Sequence, residues 1–283
     1  RQRIEPVRRG DKPSNTRVSL RRNELKMGHR FFNIISGLEQ SGKSYYAAKL
    51  AKLYHRRGGI VLVYNPGRLE DYSDYEEIEI VSTAQTAALF AGKRERSAYL
   101  RNPAILFFRM GGKYYKMRDF VKTLSGKKAF SLRIPNRDDE NRFFQSLNWY
   151  AYNTLVLLDD CRPIFRSGLR DGHIQFLNSK AHAGKKASIP ALNGNRGLDV
   201  IAIFHNLDKV NGELFDYATH ITLFAQNQLP DAKTVDNTEY YQEVKKAFFE
   251  LKKLPMYSAI EIGLRRPYYL KKTILQPETI QEI

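Results

Sequence analysis

Residues 37 to 44 read Gly37-Leu38-Glu39-Gln40-Ser41-Gly42-Lys43-Ser44, two glycines, a lysine and hydroxyls at a spacing that suits a chain of phosphates. Phosphates need several N–H donors converging in a small space, so the backbone must turn tightly. Gly37 and Gly42 permit that turn, and the amides from about Glu39 to Ser44 can wrap a β-phosphate. A helix beginning near Lys43, with Tyr45 in its first turn, would aim its positive end at the same anion. Lys43 supplies a point charge to β- and γ-phosphates, and the Ser44 hydroxyl can ligate Mg²⁺, so ATP and Mg²⁺ are the expected cofactors.

Two further segments could complete this chemistry. Thr154-Leu155-Val156-Leu157-Leu158 is an apolar run that ends in Asp159-Asp160. A buried strand of this kind can carry one carboxylate to the metal and place a second beside the attacking water. Asp159 is assigned to the metal shell and Asp160 to polarising water. Alone, an apolar strand ending in two acids is commonplace; the phosphate loop upstream gives it meaning. Asp160 is one carbon shorter than a glutamate, which shortens its reach. The third segment runs from Gly197 to His205-Asn206, an apolar strand with two polar side chains at its tip. Beside the phosphate-loop strand, His205 or Asn206 could contact the γ-phosphate; a polar strand end meeting solvent is the plainer alternative.

These groups need a scaffold. Phe31 to Ile35 reads as a buried strand entering the loop, and Tyr45, Ala48, Leu50, Ala51 and Tyr54 recur at helical spacing until Gly58-Gly59. Ile60 to Tyr64 is a second buried strand, closed by Asn65-Pro66-Gly67. Weaker strands are expected at Ile78 to Val81 and Ile105 to Phe108, with a short helix over Thr83 to Ala91 between them. Asp138 to Tyr150 reads as helix, and Val200 to Phe204 and Ile221 to Phe224 as strands. Apolar strands alternating with helices predict an α/β fold with a mostly parallel central sheet flanked by helices. Crossovers of one hand then place the loops after the strands along one edge. All three candidate chemical segments lie directly after a buried strand.

The organisation expected is a basic arm over 1–29, a core over 30–226 containing a basic excursion at 110–135, and a helix-and-strand extension over 227–283. In that extension Thr238 to Leu254 reads as a lysine-rich helix, and Tyr257 to Ile262 and Tyr268 to Ile274 as extended segments. At 283 residues and 42% hydrophobic composition the chain can bury a core, so wholesale disorder is excluded. One cysteine, Cys161, excludes an internal disulfide framework. The six histidines have no paired ligand spacing, and no apolar run approaches a membrane span of ~20 residues. The start, at Arg1, lacks an apolar signal core, which points to the cytoplasm or a particle assembled there.

The surplus of 47 Lys and Arg over 30 Asp and Glu, a net charge of +17, favours a polyanionic partner. Lys113-Tyr114-Tyr115-Lys116-Met117-Arg118 interleaves cations with aromatics, and Lys127-Lys128, Lys180, Lys185-Lys186 and Arg265-Arg266-Pro267-Tyr268-Tyr269 add more. Each cluster by itself reads as a solvated face; together they favour DNA, held through phosphates without regard to sequence.

The order of these parts, phosphate loop, apolar strand with acid pair, then Arg196-Gly197 and a strand with a polar tip, resembles the HerA/FtsK superfamily over about residues 31–226. By size and layout the nearest resemblance is to the genome-packaging ATPases of membrane-containing viruses, and next to the zonula-occludens-toxin-like assembly proteins of filamentous phages. The resemblance implies a RecA-like core and a hexameric ring of identical subunits working on DNA in the host cytoplasm or at the packaging vertex of a virion. Capsid or membrane-vertex proteins would be further partners. That superfamily usually has Gln where His205 stands. It also places an arginine before the sensor strand to reach a neighbour's nucleotide: Arg196 is the nearest candidate, in an unusual register, with Arg166 and Arg170 as alternatives. Three other readings keep the phosphate loop: an ATPase for filamentous-phage assembly or extrusion, a P-loop kinase for a small molecule, and a non-enzymatic structural protein with a vestigial loop, against which the intact loop and acid pair speak.

Overall fold

The computed structural model describes residues 31–66, 75–85, 106–126, 129–165, 168–179, 198–231, 235, 238–264 and 268–275. In chain order these form β1 (Phe32–Ser36), α1 (Lys43–Arg56), β2 (Ile60–Tyr64), β3 (Glu76–Ile80), β4 (Phe107–Met110), β5 (Lys113–Lys116) and α2 (Phe120–Leu124). There follow β6 (Phe130–Arg133), α3 (Arg137–Tyr150), β7 (Thr154–Leu158), α4 (Arg162–Phe165), α5 (Asp171–Ser179) and β8 (Leu198–Phe204). The chain continues through α6 (Glu213–Tyr217), β9 (His220–Leu223), α7 (Thr238–Leu251), β10 (Ser258–Gly263) and β11 (Tyr269–Ile274). The arm over 1–29, most of the expected 83–91 helix, Lys127-Lys128, Arg166, Lys180, Lys185-Lys186, Arg196 and Arg265-Arg266 lie outside the described residues.

All eleven of these strands join one sheet in the order β11-β10-β9-β1-β8-β7-β2-β6-β3-β4-β5. The seven from β9 to β3 run parallel, and antiparallel pairs complete both margins. The α/β architecture expected from the sequence is the one found. Its strands read as unbroken apolar runs because both faces are covered. Ile60, Leu62 and Tyr64 of β2, Val156 and Leu158 of β7, and Val200 and Ala202 of β8 enter one core. Their alternates Val61, Val63, Leu155, Leu157, Ile201 and Ile203 enter the other, with Tyr46, Leu50 and Tyr54 of α1.

Buried polar groups fix the register of β1. The Phe31 amide donates to Asp199 on β8 at 3.1 Å, and the Phe32 amide donates to Thr219 Oγ1 at 2.9 Å. The Asn33 side chain and Thr222 on β9 exchange hydrogen bonds at 2.9 and 3.1 Å. Orphaning one such group costs about 1–3 kcal/mol, so a slipped register is strongly disfavoured.

Residues 110–135 are not an excursion from the core. β6 pairs in parallel with both β2 and β3, and Met117, Phe120, Leu124, Phe130 and Leu132 are fully buried. A four-residue strand, Phe-Ser-Leu-Arg, has too short an apolar signal to stand out among basic neighbours. The β4–β5 hairpin, turning at Gly111-Gly112, forms the outer margin.

Candidate functional site

β1 delivers the chain into the phosphate loop, and α1 leaves it. Gly37 is required by a close approach: a Cβ there would lie 2.5 Å from Phe224 Cβ. Its amide donates to Phe204 O of β8, and the Leu38 amide to Ala225 O beyond β9, so both neighbouring strands hold the loop's first turn. Gln40 at φ 58° and Gly42 at φ 94° are left-handed, the kind of backbone in which successive amides can form an anion-binding concavity. The Ser41 hydroxyl donates to Leu38 O at 2.7 Å.

α1 begins with no side-chain cap and no acid in its first turn, while His55 and Arg56 occupy its last. α3, of the same length, is finished conventionally: Asn136 accepts from the Asp138 and Asp139 amides, and Asp138, Asp139 and Glu140 fill its first turn. The positive end of α1 is thus left bare where the loop faces it, as an anion site requires.

Lys43 is only 5% exposed, and its ammonium donates to Leu38 O. Burial pushes its pKa below the ordinary lysine value, while the charges of Asp159 and Glu39 pull it back up. Asp159, on another strand, therefore acts electrostatically on Lys43. β8 lies between β1 and β7, so the loop and the acid pair sit two strands apart, roughly 10 Å at sheet spacing. Ser44 is exposed at the start of α1.

Asp159 is 8% exposed and held from three directions. Its amide donates to Tyr64 O at 2.9 Å, Oδ1 accepts from the Asp160 amide at 3.0 Å, and Oδ2 accepts from Asn65 Nδ2 at 3.4 Å. Asp160 takes a left-handed φ of 49°, uncommon outside glycine but tolerated by aspartate. It is partly exposed, with Oδ1 3.8 Å from His205 Nε2. Cys161 donates its amide to Ile203 O, tying the segment after the acids to β8. Burial beside Asp159 and Asp160 raises its thiol pKa well above normal, so it is not a nucleophile.

The two polar residues at the tip of β8 have different surroundings. The Asn206 side chain accepts from the Asp208 amide at 3.1 Å and caps a short 3₁₀ turn. His205 faces Asp160. Arg170 donates to Arg137 O at 3.2 Å and lies 3.5 Å from Asp138, on its own subunit's α3.

Sequence reading missed Asn65, taken only as a turn residue. It is 4% exposed at the end of β2 and reaches Asp159 because β2 pairs with β7, a neighbour relation that spacing does not reveal. It also missed the contact of the C-terminal extension with the loop. A Cβ at Gly42 would meet Leu275 at 3.0 Å and Tyr257 at 3.6 Å, and the Tyr46 hydroxyl lies 3.3 Å from Glu261 of β10.

Among the described residues no three His, Cys, Asp or Glu side chains gather around one point. The oxygen donors at hand, the Ser44 hydroxyl and the Asp159 carboxylate, suit Mg²⁺ if phosphates and water supply the rest.

By sequence, neither a protein-family model nor a curated protein matches the chain. By structure it is similar to the genome packaging NTPase B204 of Sulfolobus turreted icosahedral virus 2. The complex of that protein with ATP-gammaS aligns at a TM-score of 0.56 and 12% identity, covering 87% of this chain and 98% of the other. Its AMPPCP complex gives 0.55 and 13% over the same shares. B204 of Sulfolobus turreted icosahedral virus, described as a DNA-packaging ATPase, gives 0.53 and 13%, covering 88% of this chain and all of the other. Over most of its length, then, this chain has the fold of the viral packaging P-loop ATPases.

Proposed function

We propose that this chain is a Mg²⁺-dependent ATPase that works as a ring motor on DNA, packaging a viral genome into a preformed capsid. One observation carries the reading: a buried Lys43 at the start of α1, after a glycine-flanked turn, stands two strands from Asp159, itself held at the tip of β7 by Asn65 and the Asp160 amide. The similarity to viral packaging ATPases supports the type of work.

In this reading the loop amides and Lys43 bind the β- and γ-phosphates, and Ser44 and Asp159 hold the Mg²⁺. Bound there, the ion neutralises charge building on the phosphate oxygens. Asp160 accepts a hydrogen bond from the attacking water and orients it in line with the γ-phosphorus. His205, beside Asp160 and at the end of the strand next to β1, registers whether the γ-phosphate is present. An arginine from the neighbouring subunit, Arg196 first and Arg166 next, stabilises charge on the transferred group, so turnover requires assembly. Arg170 ranks last because it is engaged on its own α3. Head-to-tail contacts that close make a ring, here a hexamer of the HerA/FtsK kind.

The β4–β5 hairpin presents Lys113, Lys116 and a half-exposed Tyr114, with Tyr115 stacked on Phe108 at 5.3 Å. It lies seven strands from β1, roughly 33 Å at sheet spacing. A cationic, aromatic edge so far from the nucleotide suits phosphate contact in a ring's channel. Capsid or membrane-vertex proteins would complete the machine in the host cytoplasm or at the virion vertex. No helix among the described residues is long and apolar enough to cross a membrane, so extrusion through a membrane would need an anchor elsewhere.

The test is the rate of ATP hydrolysis with and without double- and single-stranded DNA, alongside native mass measurement. DNA-stimulated turnover in a ring is expected. Phosphate transfer to a metabolite by a monomer would establish the kinase reading instead.

A further inference from the structure

The loop after β9 and the turn joining α7 to β10 enclose a cleft of about 210 Å³. It opens on the β9 side of β1, opposite the strands that carry Asp159 and His205. Two of its lining residues touch the phosphate loop and a third touches β1: Ala225 O accepts the Leu38 amide, Tyr257 packs near Gly42, and Gln226 donates to Ser36 Oγ at 3.2 Å. Leu254, Pro255 and the 71%-exposed Met256 give it an apolar wall. Ser258, also lining it, is 2% exposed, and its hydroxyl is buried without a hydrogen-bond partner.

A nucleoside triphosphate is a linear ligand. With its γ-phosphate towards Asp159 and His205, its nucleoside must trail to the other flank of β1. We propose that this cleft is the nucleoside pocket, in which an aromatic base lies flat on Met256 and Tyr257 and bonds to the Ser258 hydroxyl. The C-terminal extension thereby turns a phosphate site into a nucleotide site. An orphaned buried hydroxyl destabilises a fold, and a base nitrogen or amino group would satisfy it. Apolar walls with few polar groups are the usual make-up of such pockets. The inference rests on the nucleotide-binding reading of the phosphate loop.

Calorimetric titration of the full chain with ATP and with inorganic tripolyphosphate tests it. Wild type should bind ATP at least about tenfold more tightly than tripolyphosphate, the contribution of roughly one good contact. Met256→Asp, at an exposed position, and Ser258→Ala should each erase most of that advantage while leaving tripolyphosphate affinity within about twofold. Ser258→Ala should also keep or raise the melting temperature, which separates lost recognition from lost folding. Equal affinities for the two ligands in wild type, or unchanged ATP affinity in both variants, would overturn the pocket and leave the phosphate loop standing. Binding of neither ligand to wild type would overturn both.

Discussion

The two strands beside β1 meet the phosphate loop with different chemistry. On the β8 side lie carboxylates and a histidine: Asp159, pinned by Asn65 and a backbone amide, and Asp160 facing His205. On the β9 side lie Phe224, Tyr257, Leu275 and Met256, with one unpartnered hydroxyl. One flank can hold a metal and steer water. The other offers a largely apolar surface with a few polar groups, Gln226, Lys252 and the Ser258 hydroxyl among them, and suits recognition of a flat ring. On the proposed reading, hydrolysis and nucleotide choice lie on opposite sides of one loop and should fail separately.

The largest break in that division is expected from Asp159→Asn and Lys43→Ala. Each removes charge aimed at the phosphates, and turnover should fall by at least about 100-fold, the scale for a preorganised electrostatic partner. Steady-state phosphate release reads it. A matching collapse of the melting temperature would show that the residues hold the fold instead.

Asn65→Ala sharpens the same flank. It removes one hydrogen bond to Asp159 without touching a phosphate, so kcat should drop about 10–100-fold, as for partners that orient a metal ligand, with KM for ATP little changed. The Mg²⁺ concentration for half-maximal rate should rise. An unchanged Mg²⁺ dependence would deny Asn65 its positioning role. On the other flank Met256→Asp should do the reverse, raising KM about tenfold at nearly constant kcat.

The smallest effect concerns protons. Burial holds Lys43 below its ordinary value of 10.5. Its charged form therefore costs stability at neutral pH, and that cost is relieved as the pH climbs from the depressed value towards 10.5. Bound phosphates push the pKa back up, so ATP binding takes up protons in that window and affinity declines through it. Titrations in buffers of different ionisation enthalpy measure the uptake, which should vanish in Lys43→Ala.

The parts of the site that were legible in the sequence are local. Strand, loop and helix over 32–56 follow from an apolar run, two glycines and a 3.6-residue period, and β7 with its acids and β8 with its tip follow likewise. What was hidden is adjacency. Nothing in spacing says that β8, late in the chain, inserts between β1 and β7 and so lies beside the phosphate loop. Nor does it say that β6 threads between β2 and β3, that Asn65 turns to Asp159, or that Tyr257 and Leu275 pack on Gly42. Asp199 illustrates the reason: a charge within an apolar strand looks like an interruption, yet it accepts the Phe31 amide and helps choose the partner strand. Pairing energy depends on who the neighbour is, and period-two patterns are alike from strand to strand.

The most direct measurement is a structure of the assembled protein with Mg²⁺ and a non-hydrolysable ATP analogue. The triphosphate should lie in the 37–44 loop, its γ end towards Asp160 and His205, with the ion on the Ser44 hydroxyl and facing the Asp159 carboxylate. A nucleotide bound elsewhere, or one in the loop with Asp159 turned away from the metal, would contradict the division of labour around β1.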